Sequence, residues 1–406
     1  MSTAVETPEA SEAPEPTQNR LIREMLSSSA MVTVMAIVLA LIVGGLLIIF
    51  SDPDVTDTLS YFFARPGDFF SAAWQSVSSA YSALFRGAIF DWKASSTTRM
   101  IRPITETLVY ATPLIMAGLA VAIPFRAGMF NIGGNGQVIV GAMTAGYIGY
   151  AFQMPIVVHM LVALLGGMAA GALWAGIAGW LKAQTGANEV IVTIMLNNIA
   201  AYLILYLLKQ SWFSHMDSPN PKSANVESTV KFAKLLPDPF RLHFGFIVAL
   251  LAAFGVWWLL ERSTLGFEFR AVGANPAAAR TAGISVFRST VLVMVIAGAL
   301  AGMAGANQLL GTEAALTTGV AGSIGFDAIT VALLGKSRPL GVVFAGILFG
   351  ALRAGAISMA SQTHLPVDIV LVVQSVIVLL VAAPPLVRWV FRLPKPTARS
   401  RKEVAA

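Results

Sequence analysis

The chemistry available to this sequence lies in carboxamides and a few ionisable side chains set within apolar stretches. Asn131, Asn135, Gln137, Asn197, Asn198, Asn307, Gln308 and Gln374 stand in or beside long apolar runs, and Glu313 follows one of them. An amide offers donors and acceptors together, which suits the hydroxyls and ring edges of a small polar solute without imposing charge. The same groups can instead stitch helices together inside a membrane. Tyr110 and Phe130 lie near these amides and could stack a ring, although packing is the plainer role of an aromatic in a bundle. Glu189, Asp327 and Arg353 are ionisable residues within apolar runs, where a charge is costly and usually kept for a purpose. Glu189 follows Asn188 at a helix start, a position that stabilises a carboxylate by itself. Asp327 either pairs with Arg353 or caps the helix after Gly325, and Glu313 is either solvated or faces a solute path. Other chemistries lack their residues. There is no cysteine, and His159, His215, His243 and His364 make no ligand-spaced cluster, so no metal site is expected. Gly335-Lys336-Ser337 lacks the first glycine of a phosphate loop, since Thr330 stands there, and Gly134-Asn135-Gly136 lacks the third glycine of a dinucleotide fingerprint. No catalytic residue and no cofactor is therefore assigned to this chain.

The elements that must position these groups are membrane helices. Of 406 residues, 56% are hydrophobic and 12% charged, about half the charge of a soluble domain. The apolar residues come in runs near the ~20 residues that cross a ~30 Å hydrocarbon core, and only helices satisfy their backbone there in a single run. Ten spans are predicted: Ala30–Phe50, Pro103–Phe125, Asn135–Phe152, Pro155–Leu181, Val190–Leu208, Leu242–Leu260, Ser289–Leu310, Ser323–Leu334, Leu340–Ala360 and Pro366–Val387. The third and eighth are short and glycine-rich. The fold class is thus an all-α polytopic membrane protein with about ten transmembrane helices. The net charge of +6 reports topology and gives no reason to invoke nucleic acid.

Residues 1–29 read as a disordered cytoplasmic tail, without the basic and apolar regions of a signal peptide. Residues 30–392 form the membrane domain, and 393–406 a basic cytoplasmic tail holding Lys395, Arg399, Arg401 and Lys402. Arg20, Arg23, the arginines of the loop between the sixth and seventh spans, and Lys336-Ser337-Arg338 all fall on one side if both termini are cytoplasmic. Residues 51–102 and 210–241 then face the periplasm, the first with an amphipathic stretch suited to the membrane surface.

Two segments depart from plain helix. Gly128, Gly133, Gly134 and Gly136, with Asn131, Asn135 and Gln137 among them, break the chain at membrane depth. Irregular backbone survives there only when buried in protein or lining a water-filled cavity; a tight cytoplasmic turn is the other reading. Gly305–Gly325 is a second glycine-rich stretch, after a span of opposite direction, as in inverted repeats. Within the cytoplasmic loop 268–285, Asn275 suits an N-cap, Pro276 the first helical position, and Gly283 a left-handed C′ residue. The two-turn helix between them, exposing Ala277, Ala278, Ala279 and Arg280 after Gly273, is too short to stand alone and suits docking into a groove on a partner.

Several stretches, in order over roughly residues 100–390, resemble the permease subunits of bacterial ABC importers of the branched-chain amino acid, ribose and nucleoside group. They are Glu106–Pro113 (ETLVYATP), Phe125–Gly133 (FRAGMFNIG), Gly186–Asn197 (GANEVIVTIMLN), the Gly273–Gly283 helix, Gly325–Gly335 (GFDAITVALLG) and Pro339–Phe344 (PLGVVF). The chain is most similar to the nucleoside, or simple-sugar-like, permeases; Gly134-Asn135 departs from the group's Ala-Glu. The resemblance implies a BtuC-like or ribose-permease-like helical fold and a coupling helix at about Asn275–Ala282 resting on a separate ATPase subunit, which would use the ATP and magnesium. It further implies a second permease subunit of a different kind and a periplasmic or lipid-anchored solute-binding protein on the opposite face. The expected function is import of a small polar solute, a nucleoside first, a simple sugar or branched-chain amino acid as alternatives, by alternating access across the bacterial inner membrane. An ion-coupled secondary transporter is the rival class, needing mid-membrane carboxylates such as Asp327 or Glu313.

Overall fold

The computed structural model describes residues 29–214, 221–363 and 365–392. Residues 1–28 of the first expected tail and all of the second, with Arg20, Arg23, Lys395, Arg399, Arg401 and Lys402, lie outside the described residues, as do His215 and His364. Fourteen helices matter here. They are α1 (Ser29–Ser51), α2 (Pro66–Ala88), α3 (Thr97–Arg126), α4 (Gly134–Ala151), α5 (Ile156–Thr185), α6 (Glu189–Leu208), α7 (Gly245–Arg262), α8 (Thr264–Ala274), α9 (Pro276–Thr281), α10 (Val286–Gln308), α11 (Ile324–Leu334), α12 (Pro339–Thr363), α13 (Asp368–Ala382) and α14 (Pro384–Val390).

Every predicted span coincides with a helix, but not every helix is a full crossing. Among the described residues, seven are long and apolar enough to span a membrane: α1, α3, α5, α6, α7, α10 (prolonged to Glu313) and α12. The expected count of ten drops to seven by this measure, or eight if α13 and α14 are taken as one span. α4 has 18 residues, of which Gly134, Asn135, Gly136 and Gln137 form a polar first turn. α11 has only 11 residues. The tenth run breaks into α13 and α14, bent by 96°, because Pro384 and Pro385 supply no N–H to continue the ladder.

Small residues set the packing. α10 lies along α5, and α12 along α3. Gly171 and Gly298 meet backbone to backbone, so that a Cβ on Gly298 would stand 2.2 Å from the Gly171 carbonyl oxygen. Such contacts bring helices close where lipid provides no hydrophobic drive. The main core runs through α3, α4, α10, α11 and α12, while α1, α2 and α13 share a second cluster around Ala80, Leu84, Leu352 and Ile369. The stretch expected to be amphipathic is α2; its face Ala80, Ala83 and Leu84 packs on α12 and shares a cluster with α1 and α13.

Two connections bring the chain back into the body of the protein. Residues 127–133 leave α3 without helix and deliver α4; residues 309–323 leave α10 through a π-turn, Leu309–Glu313, and deliver α11. The N-termini of α4 and α11 meet: a Cβ on Gly325 would lie 2.2 Å from the Asn135 nitrogen, and one on Gly134 would lie 3.2 Å from the Gly325 oxygen. A short antiparallel ribbon was not legible in advance. β1 (Lys222–Asn225) pairs with β2 (Ala315–Thr317), and Ser223 Oγ accepts the Leu316 N–H at 2.8 Å. It ties the loop before α7 to the segment after the π-turn.

Candidate functional site

A polar cavity of about 310 Å³ opens where α3, α10, the π-turn, the 319–324 turn and α12 converge. Its walls include Tyr110, Arg241, Gln308, Glu313 and Arg353, flanked by Pro113, Val320 and Ile357. α3 supplies Tyr110 and α12 supplies Arg353. The wider π-turn carries Glu313 round to the same wall as Gln308, whose Nε2 donates to Glu313 Oε1 at 3.2 Å. Turns of this kind recur at functional sites, and here Ala314 follows in the left-handed region at φ +65°.

Each arginine is matched by a carboxylate. Arg241 Nη1 donates to Glu106 Oε2 at 3.3 Å, and Glu106 also faces Arg102 at 3.5 Å. Arg353 Nη1 donates to Ser323 Oγ at 3.0 Å and stands 3.9 Å from Asp327 Oδ2, while Ser323 Oγ donates to that oxygen at 2.6 Å. Asp327 and Arg353 therefore come together, with Ser323 as the bridge.

A second polar group closes the break between α3 and α4. Asn131 and Gln137 exchange side-chain hydrogen bonds at 3.0 and 2.9 Å, and Asn131 Oδ1 also accepts the Gly133 N–H. Asn197 Oδ1 accepts the Gly136 N–H at 2.8 Å, and its Nδ2 donates to the Ile132 carbonyl. All three amides are buried; Asn197 and Asn131 serve backbone groups of the break, and Gln137 holds Asn131 in place. They stitch the break rather than line open space, the other role that the sequence left available. Asn135 Oδ1 is buried in the same knot without a partner. Asn197 lies two turns beyond Glu189, about 12 Å at the helical rise, while Glu189 Oε1 accepts the Phe130 N–H at 3.4 Å. The segment from Phe130 to Gly136, in the first turn of α4, thus climbs about 12 Å along α6.

Glu189 is the first residue of α6. Asn188 caps α6 by accepting the Val190 and Ile191 N–H groups, and Glu189 pairs with Lys182 Nζ at 2.6 Å. Arg126 joins this end through the Ser337 carbonyl at 3.2 Å and Glu261 at 3.5 Å.

The short loop helix forms as its caps dictate. Asn275 Oδ1 accepts the Ala277 and Ala278 N–H groups at 3.0 and 3.1 Å, Pro276 opens α9, and Gly283 leaves it at φ +83°. Ala279 is buried, whereas Pro276, Ala277, Ala278 and Arg280 are exposed. An unexpected helix, α8, precedes it, capped by Ser263. Its penultimate residue, Gly273, sits against the break: a Cβ there would be 2.5 Å from the Ala127 carbonyl carbon and 2.9 Å from the Gly128 nitrogen.

The remaining predicted residues separate. Asn307 is wholly buried, and neither its Nδ2 nor its Oδ1 has a partner. Beside it His243 stacks on Phe232 at 5.7 Å and accepts the Gly245 N–H through Nδ1. Burial, with the charge of Arg241 adding to it, pushes the His243 pKa down to about 4. Asn198 is on the uncovered face of α6 with Tyr202 and Tyr206. Phe130 packs edge-on against Phe125, away from the cavity, and Tyr110 is the ring that lines it. Arg241, Glu106, Ser323 and His243 were missed as site residues, because loop polarity and a span boundary gave no hint of their partners.

Residues 104–382 match the family described as the permease component of the branched-chain amino acid transport system. The guanosine ABC transporter permease protein NupP of Bacillus subtilis is 42% identical over 78% of this chain and 88% of its own length. The glucose ABC transporter permease protein TsgB13 of Haloferax volcanii is 33% identical over 68% of this chain and 75% of its own. The nucleoside ABC transporter permease protein NupB of Lactococcus lactis is 34% identical over 74% of this chain and 84% of its own. No solved structure matches the chain.

Proposed function

Since the chain belongs to the branched-chain amino acid transport system permease family, we propose that it is the membrane-spanning permease of an ATP-driven nucleoside importer. The relatives named for guanosine and nucleosides support that solute. The observation that carries the reading is the outer cavity: charged and amide side chains around a space of about 310 Å³, within a body of otherwise apolar helices. Such a space can hold a neutral polar solute for part of a transport cycle.

The division of labour follows from the two ends. The exposed face of α9 meets a separate ATPase subunit, which binds ATP and magnesium and drives the cycle. Movement of α9 reaches the membrane body through α8, whose Gly273 lies against the break at Ala127 and Gly128. A solute-binding protein, periplasmic or lipid-anchored, docks over the loops around residues 51–102 and 210–241. A second permease subunit covers α6, where Asn198, Tyr202 and Tyr206 would otherwise face lipid. In this reading the chain is a plasma-membrane protein with both termini cytoplasmic and ten crossings of BtuC-like arrangement, α4 and the short α11 each crossing together with the irregular segment before it. The reciprocal packing of α10 on α5 and α12 on α3 supports an inverted repeat.

A simple sugar is the second reading, favoured by the resemblance to a glucose permease. A gradient-driven carrier would find Asp327 already engaged by Ser323 and Arg353, which leaves Glu313 as the carboxylate it would have to use. Uptake of labelled guanosine, ribose and leucine by cells with and without the gene tests the proposal. Gene-dependent guanosine uptake that persists when the proton gradient is collapsed and ATP is maintained is the expected result. Uptake of ribose or leucine alone, or loss with the gradient, would refute it.

A further inference from the structure

We propose that the outer cavity reads the base of its solute, with Glu313 selecting a 6-oxopurine ring such as guanine; this rests on the nucleoside-permease reading above. Charge bookkeeping within the cavity leads there. Arg241 shares Glu106 with Arg102, and Arg353 faces Asp327. Glu313 has no ion pair among the described residues. Its hydrogen bond comes from the neutral amide of Gln308, which holds Oε1 and orients the carboxylate. Glu313 is exposed, so the cavity has an oriented acceptor pair that a solute's donors can reach. It also has two guanidinium groups whose Nη1 atoms are engaged and whose planar forks carry further N–H groups.

A fitting ligand presents adjacent N–H donors to Glu313 and adjacent acceptors to an arginine. A neutral guanine ring does both on neighbouring edges: N1–H and the 2-amino group donate, while O6 and N7 accept. Arginine's fork to O6 and N7 is the commonest specific contact to that base. Adenine turns the pattern round, aiming the N1 lone pair at the carboxylate and an amino group at the guanidinium. That mismatch leaves charged groups unpaired on both sides, the kind of penalty on which strong discrimination rests. Tyr110, Pro113 and Val320 supply flat and apolar wall for the ring faces. A zwitterionic amino acid could also bridge Glu313 and an arginine, but it would leave the second fork and the aromatic wall unused.

The test is competition against labelled guanosine on the assembled permease–ATPase complex in lipid nanodiscs, without binding protein, so that only membrane-embedded selectivity is read. A bidentate contact to a base edge discriminates by about 5- to 150-fold. Guanosine is expected to compete at least tenfold better than adenosine, with inosine, which lacks the 2-amino group, between them. Glu313→Gln, which keeps the shape but loses the charge and one acceptor, is expected to shrink the guanosine-to-adenosine ratio about tenfold in a complex that still assembles. Glu313→Asp serves as a second variant should Glu313→Gln fail to assemble, with a smaller reduction expected. An unchanged ratio in the variant overturns the proposal, as does displacement of guanosine by leucine more readily than by inosine. Absence of nucleoside binding to a complex that cells use to import guanosine overturns the base-reading site alone. Absence of gene-dependent guanosine uptake overturns the underlying reading instead.

Discussion

The close approach of Gly273 to the break after α3 gives a sharp mechanical prediction for Gly273→Ala. The new methyl group would begin 2.5 Å from the Ala127 carbonyl carbon, 2.8 Å from its oxygen and 2.9 Å from the Gly128 nitrogen. All three are backbone atoms that no rotamer change can move. Ordinary contact begins near 3.4 Å, so α8 must retreat by about 1 Å. Overpacking of this kind costs about 1–3 kcal/mol, and rigid backbone on both sides puts this site near the top of the range. Alanine returns about 1 kcal/mol of helix propensity inside α8, leaving a net loss of about 2 kcal/mol. Two controls separate strain from contact. Gly186→Ala enters a left-handed position, φ +71°, with nothing within 4 Å, and costs roughly 1 kcal/mol of local strain. Gly255→Ala meets nothing within 4 Å and carries no positive φ, so it should be neutral or slightly stabilising. Thermal midpoint of the solubilised complex, ATP-driven uptake and ATPase co-purification are read for all three. Gly273→Ala should lower the midpoint and cut uptake at least tenfold while the ATPase still co-purifies, because the α9 surface is untouched. Wild-type midpoint and uptake in Gly273→Ala would refute the transmission of motion through this contact.

Asn275→Ala removes the side chain that accepts two N–H groups at the start of α9, costing about 1 kcal/mol in a six-residue helix. ATPase co-purification should weaken, and Asn275→Ser should restore it. Asn197→Ala leaves the Gly136 N–H and the Ile132 carbonyl without their partner. Buried groups so orphaned cost about 1–3 kcal/mol each, read as a lower thermal midpoint that Asn198→Ala, on an exposed face, should not reproduce. His243 lies just ahead of α7 with its pKa lowered from 6.5 to about 4 by burial and by Arg241. The folded state then binds fewer protons than the unfolded one between those values, so stability falls as pH drops from 6.5 towards 4. The full difference is about 3 kcal/mol, and His243→Gln should flatten that part of the stability–pH curve relative to wild type.

Membrane residence, the helical class and the two breaks were legible in the sequence because they depend on local properties. Run length and apolarity decide whether a segment partitions into lipid, and glycine with asparagine decides where a helix cannot continue. The cap at Asn275 and the left-handed exit at Gly283 were likewise readable, since a cap is made by neighbours in the chain. Which amides face open space was not readable. Asn131, Gln137 and Gln308 look alike in sequence. The first two meet each other across the break, while Gln308 reaches a glutamate carried into the cavity by a π-turn that no periodicity announces. Arg241 and Glu106 lie 135 positions apart and pair only because the β1–β2 ribbon and α7 hold their loop over α3. A sequence thus fixes what each segment can do alone, through hydropathy and backbone preference. Contacts between distant side chains are settled only once small residues such as Gly128, Gly273 and Gly325 let the elements close to within backbone contact, because hydrogen bonds and ion pairs act over a few ångströms and depend on that final approach.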